Sequence, residues 1–191
     1  KPITCLGCAN SLNPDVLIID SRPKEQFKKA YLKNAINLMN DTKFETWLGS
    51  IVQPNEAFYL IAENEEILNE LIERAAKIGY EQNIAMAFVS SYGNSAVELF
   101  NSENLSNRLD DFTILDIRNE SEVKTKKTFA NSINIPLYEL RERVNEIPTN
   151  KAILIHCAGG YRSAAGTSIV KGILEDKVKV YDLSEDVVRF K

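Results

Sequence analysis

The chain has 191 residues, room for one large domain or for two of about 100 residues, each able to bury a core. Hydrophobic residues make up 44% and charged residues 26%, an ordinary globular composition, and the net charge of −4 argues against a nucleic-acid surface as the main function. No apolar run reaches the roughly 18–20 residues that span a bilayer, so membrane insertion is not expected.

The chain opens Lys-Pro-Ile-Thr without a signal peptide, which suggests a processed chain or a piece of something longer. Cys5, Cys8 and Leu12 fall at i, i+3 and i+7, one face of a short helix, so core packing is expected of them. The single histidine is His156, so a closed four-ligand metal site lacks ligands; no metal and no cofactor are expected. Three cysteines without a disulfide-dense pattern favour a reducing, cytoplasmic setting.

From Val16 onward the chain repeats itself at offsets near 95–97 residues. Val16-Leu17-Ile18-Ile19-Asp20-Ser21-Arg22 matches Phe112-Thr113-Ile114-Leu115-Asp116-Ile117-Arg118, an apolar strand ending in Asp-x-Arg. Ala35-Ile36-Asn37-Leu38 matches Ser132-Ile133-Asn134-Ile135, and Phe58-Tyr59-Leu60-Ile61 matches Ile153-Leu154-Ile155-His156. Two copies of one domain are therefore expected, residues 1–92 and 93–191, with the boundary in the turn-like stretch Ser90-Ser91-Tyr92-Gly93-Asn94-Ser95. Val97 to Leu99 reads as a short strand opening the second copy.

Within each copy, short apolar runs alternate with stretches of helical period. Glu65 to Ile78 places Ile67, Leu68, Leu71, Ile72, Ala75 and Ile78 on one face, with Gly79 as a stop. Leu137, Leu140, Val144 and Ile147 form a comparable stripe that ends at Pro148. Apolar strands separated by helices imply an α/β fold: a mainly parallel sheet in each copy, flanked by helices on both faces.

The most informative stretch is His156-Cys157-Ala158-Gly159-Gly160-Tyr161-Arg162-Ser163, between an apolar strand and a helical segment. A strand, a turn and a helix N-terminus would hold Cys157 at the carboxyl end of the sheet, where such sheets place their sites. Backbone N–H groups and the positive helix end would favour a thiolate and a bound anion there. Gly159 and Gly160 allow the sharp bend that lets amides converge, and Arg162 adds a permanent cation. Tyr161 either shapes the entrance or simply packs. Asp116 and Arg118 either orient Arg162, bind the donor or form a structural ion pair, since the first copy retains Asp20 and Arg22. Strand alternation points His156 away from Cys157. In the first copy Ala62 takes the place of Cys157 and is followed by Glu63-Asn64-Glu65-Glu66, without the glycines or the arginine, so that copy is expected to be catalytically inactive.

Loop length separates two chemistries. Cysteine-dependent phosphatases carry Cys-x5-Arg around a phosphate, whereas here the count from Cys157 to Arg162 is Cys-x4-Arg, a tighter ring suited to a sulfane sulfur. The loop Cys-Ala-Gly-Gly-Tyr-Arg-Ser closely resembles that of the rhodanese sulfurtransferases, and the two-copy layout resembles a tandem rhodanese. An inactive first copy beside this loop, together with Phe44-Glu45-Thr46-Trp47-Leu48-Gly49, is similar to the C-terminal half of bacterial metallo-β-lactamase-fold/rhodanese fusion proteins. The resemblance implies transfer of a sulfane sulfur from thiosulfate or a low-molecular-weight persulfide to a thiol or cyanide through a persulfide on Cys157, with the amides of Ala158 to Arg162 around it. It also implies an N-terminal metallohydrolase domain absent from this chain; a homodimer is a further candidate assembly. A phosphatase or arsenate reductase on the same scaffold, and a non-catalytic interaction module, are the alternatives. The chain departs from the family near its end, where Asp182-Leu183-Ser184-Glu185-Asp186 stands in place of a Gly-Gly-containing turn.

Overall fold

The structure, a computed structural model, describes residues 12–174 and 177–191; the Cys5–Cys8 helix face lies outside them. The chain divides into two compact units, Lys1–Val97 and Glu98–Lys191.

The first unit contains β1 (Leu17–Asp20), α1 (Lys24–Lys29), β2 (Ile36–Asn37), α2 (Phe44–Ile51), β3 (Phe58–Ala62), α3 (Glu65–Ala76) and β4 (Ile84–Val89). The second contains β5 (Phe112–Asp116), α4 (Glu120–Thr125), β6 (Ile133–Asn134), α5 (Leu140–Arg143), β7 (Ala152–His156), α6 (Tyr161–Leu174) and β8 (Val180–Asp182). Each unit holds a four-stranded sheet, in the orders β2-β1-β3-β4 and β6-β5-β7-β8, with every pairing parallel. The fold is thus two α/β domains of the same topology, their parallel sheets flanked by helices. The central strands β3 and β5 are buried at every position and β7 from Ile153 to His156, as expected of apolar runs covered on both faces. No helix among the described residues is long and apolar enough to cross a membrane.

The registers align the repeat. Asp20 pairs with Ile61 and Asp116 with His156, so Ala62 and Cys157 are the first residues beyond equivalent strand positions. The connections then differ. In the second unit Cys157 to Gly160 lie between strand and helix; in the first, Glu63 and Asn64 do so, and Asn64 caps α3 by accepting from the Ile67 N–H at 2.9 Å.

Three expectations need correction. Val97 does not open the second copy as a strand. Its N–H bonds to the Lys28 carbonyl at 2.9 Å, and Asn94 and Ser95 bond to Tyr31, so the stretch up to Val97 belongs to the first unit rather than ending it at residue 92. A Cβ on Gly93 would lie 2.0 Å from the Tyr31 nitrogen, so only glycine admits this close approach. The helical face starting at Glu65 ends at Ala76, not Ile78. Gly79, at φ +76°, closes it with its N–H on the Ala76 carbonyl and the Tyr80 N–H on Ala75, a Schellman turn that leaves Ile78 exposed. The stripe Leu137, Leu140, Val144 and Ile147 is buried throughout, but as a 3₁₀ turn, the single turn α5 and another 3₁₀ turn.

Candidate active site

The site is built at the carboxyl end of β7. Strand β7 ends at His156, the chain turns through Cys157-Ala158-Gly159-Gly160, and α6 begins at Tyr161. Cys157 is only 1% exposed, and the Gly160 N–H donates to its Sγ at 3.2 Å. Gly160 itself adopts φ +100°, a conformation open to glycine and costly for other residues. The Ser163 hydroxyl donates to the Gly160 carbonyl at 3.2 Å, tying the turn to the first turn of α6. A sulfur before a 14-residue helix therefore sits in the field of that helix's N-terminus, which favours negative charge. Helix and sheet pack closely behind it: a Cβ on Gly166 would come within 2.6 Å of the Ile117 Cδ1.

Arg162 leads from the loop to α4, not to Asp116. Its Nη1 and Nη2 donate to the two carboxylate oxygens of Glu122 at 2.6 and 2.8 Å, a forked pair that fixes the guanidinium plane. Burial disfavours the Arg162 cation, but the Glu122 hydrogen bonds, the nearby Cys157 sulfur and Asp116 outweigh it and raise its pKa above that of free arginine. Glu122 in turn is held below the usual carboxylate range, chiefly by Arg162, with help from the Asn119 N–H at 3.1 Å. Glu122 escaped the reading of the sequence. Its one local signal is the Asn119-x-x-Glu122 spacing of a capping box at the start of α4.

Arg118 is engaged elsewhere. Its Nε and Nη2 grip the Asp116 carboxylate at 2.9 and 2.6 Å, and Nη2 also donates to the Lys126 carbonyl at 3.1 Å. In the first unit Arg22 grips Asp20 at the same two distances and donates to the Ala30 carbonyl at 2.9 Å. A pair repeated where there is no cysteine serves the scaffold, clamping the strand end to the end of the following helix. The four groups Asp116, Arg118, Glu122 and Arg162 form two oppositely charged pairs.

His156 is fully buried, its ring edge-on to Phe129 with centroids 5.0 Å apart. Its Nδ1 lies 3.3 Å from the Cys157 carbonyl oxygen, and Nε2 lies 3.6 Å from Asp116 with no hydrogen-bond partner among the described residues. Burial lowers its pKa despite the Asp116 carboxylate, so it is neutral at pH 7. Ala158 and Tyr161 are partly exposed and Gly159 is exposed, which places them on the rim of the loop.

In the first unit the Gln26 amide takes the place of the Glu122 carboxylate and donates to Glu63 at 2.9 Å. A carboxylate follows the strand there, where the second unit has the Cys157 sulfur with the Gly160 amide on it.

A parallel α/β sheet with a cysteine just beyond a strand's carboxyl end, and a glycine amide on its sulfur in the turn into a helix, are found together in one of two like domains. The chain belongs to the rhodanese-like domain family, whose sequence profile matches residues 9–87 and 101–189. No curated protein matches it. Among solved structures it is similar to a rhodanese-related protein from Thermoplasma volcanium, at 29% identity over 44% of this chain and 81% of that one, with a TM-score of 0.38. It is also similar to a thiosulfate sulfurtransferase from Pseudomonas aeruginosa, at 18% identity over 89% of this chain and 38% of that one, TM-score 0.38. A human single-domain sulfurtransferase aligns at 13% identity over 51% of this chain and 98% of its own, TM-score 0.40.

Proposed function

We propose that the second domain is a sulfurtransferase whose carrier is Cys157, and that the first is catalytically inactive. The observation that carries this reading is the Gly160 N–H on the Cys157 sulfur at 3.2 Å, in a Cys-x4-Arg loop opening a helix. The Cys157 thiolate attacks the outer sulfur of thiosulfate; the S–S bond breaks and sulfite leaves with the electron pair. The terminal sulfur of the resulting persulfide carries the negative charge, which the loop amides and the end of α6 stabilise. An acceptor thiolate or cyanide then attacks that sulfur, the new S–S bond breaks, and the Cys157 thiolate is restored. A low-molecular-weight persulfide enters the same way, releasing its parent thiol. A reducing compartment, rich in thiol acceptors, suits this cycle. An additional N-terminal metallohydrolase domain would be tested by the sequence of the full-length protein.

Turnover tests the reading. Thiosulfate with cyanide should yield thiocyanate and sulfite in equal amounts, and glutathione persulfide with a thiol acceptor should transfer its sulfur; Cys157→Ser should reduce both to background. Phosphate release from aryl phosphates without sulfur transfer from either donor would replace sulfurtransferase by phosphatase chemistry.

A further inference from the structure

His156 stands between two acceptors. Its Nδ1 lies 3.3 Å from the Cys157 carbonyl oxygen, and its Nε2 lies 3.6 Å from Asp116 Oδ2. Being neutral, the ring carries one N–H and can serve only one of them. Asp116 is already supplied, since the same Oδ2 accepts from the Arg118 Nε at 3.1 Å and Nη2 at 2.6 Å. At 3.6 Å it also lies beyond hydrogen-bond reach of the ring. A proton on Nδ1 therefore makes a hydrogen bond, and the Nε2 lone pair faces a carboxylate that Arg118 neutralises. A proton on Nε2 would make none and set the Nδ1 lone pair against the carbonyl oxygen.

The scaffold itself does not call for an imidazole here. In the first unit the register places Ile61 opposite Asp20, as His156 stands opposite Asp116, and both residues are fully buried. That unit keeps the Asp-Arg clamp, has no cysteine after the strand and fills the position with hydrocarbon. A buried imidazole with an unpartnered nitrogen carries a desolvation cost that isoleucine avoids. The cost is met only where a sulfur follows.

We propose that His156 is a positioning residue for sulfur transfer: its Nδ1–H holds the Cys157 carbonyl and so fixes the direction of the Ala158 N–H in the cysteine loop. This rests on Cys157 acting as the sulfur carrier. In a trans peptide the carbonyl and the following N–H point to opposite sides. Drawing the Cys157 carbonyl towards the buried ring turns the Ala158 N–H away from it, at a residue that is itself partly exposed. The bond also polarises the peptide, which makes that N–H a stronger donor to an anionic sulfur.

The tautomer is read first, by nitrogen NMR on the isotopically labelled wild-type chain at pH 7. The single imidazole should carry its proton on Nδ1; a proton on Nε2 overturns the inference. Persulfidation of Cys157 by thiosulfate is then compared in the wild-type chain, His156→Ile and His156→Asn. Isoleucine is the residue the first unit holds at this position, and the asparagine amide nitrogen takes the place of Nδ1. His156→Ile should lower the second-order rate constant about 3–10-fold, as loss of one hydrogen bond implies, and His156→Asn should recover most of it. Rates equal within about twofold in wild type and His156→Ile, or a folded His156→Asn no faster than His156→Ile, mean that the ring only fills space and overturn the inference. Failure of the wild-type chain to form the persulfide with either thiosulfate or glutathione persulfide overturns the sulfurtransferase reading, and the role in transfer falls with it. The tautomer separates the two failures, because it reports the hydrogen bond whether or not sulfur is transferred.

Discussion

Arg162 owes its orientation to Glu122, and that dependence is measurable. Two charge-assisted hydrogen bonds hold the guanidinium in one plane; an amide at position 122 keeps the shape but offers one acceptor instead of two. Glu122→Gln should lower kcat/KM for sulfur transfer by roughly 10–100-fold, as loss of a hydrogen bond worth about 1.5–3 kcal/mol implies. Glu122→Asp should recover less than full activity, because the shorter side chain misplaces the fork. An unchanged kcat/KM in Glu122→Gln would mean that Arg162 takes no part in the reaction. His156 makes a prediction about pH. It stays neutral in the fold while the unfolded chain protonates near pH 6.5, so stability present above that pH is lost as pH falls towards the lower folded pKa. As the chain has one histidine, its NMR imidazole resonance should titrate below pH 6.5, and His156→Leu should flatten the stability profile just below pH 6.5. A midpoint at or above 6.5 would contradict the account of its burial.

At the scale of elements, the Asp-x-Arg clamp explains why both copies keep their strand ends fixed. Asp20 and Asp116 are fully buried, and each neutralises an arginine that is almost as buried. Removing one partner leaves a buried charge unpaired, at a cost of about 3–5 kcal/mol. Asp20→Ala should therefore destabilise the first domain by that amount in denaturant unfolding; a loss under about 1 kcal/mol would show that Arg22 escapes to solvent. The clamp and the loop were legible in the sequence because both are local: two residues for the clamp, strand-turn-helix for the loop. The partners Glu122 and Arg162 are forty residues apart, and Glu185 meets Gly160 across twenty-five, so only the sheet order brings them together. Local signals also blurred the ends of elements. Ile78 continued the helical period but lies within the Schellman turn that ends the helix, and Val97 carried strand propensity but bonded back to Lys28.

The whole molecule contains its own control. Two domains share sheet order, register and the buried Asp-Arg clamp, yet only the second places a cysteine, glycines and an arginine beyond the strand. The first spends the equivalent positions on a capped helix start and on Glu63 facing Gln26, an arrangement that disfavours an anion. The most direct test of one carrier in the second domain is peptide-mapped mass spectrometry after brief exposure to thiosulfate or glutathione persulfide. One sulfur atom should be added per chain, on the peptide containing Cys157, and should be lost on treatment with a reductant or with cyanide. Cys5 and Cys8 should stay unmodified, and Cys157→Ser should take up none. Sulfur found on Cys5 or Cys8, or a Cys157 that stays unmodified under both donors, would contradict the account.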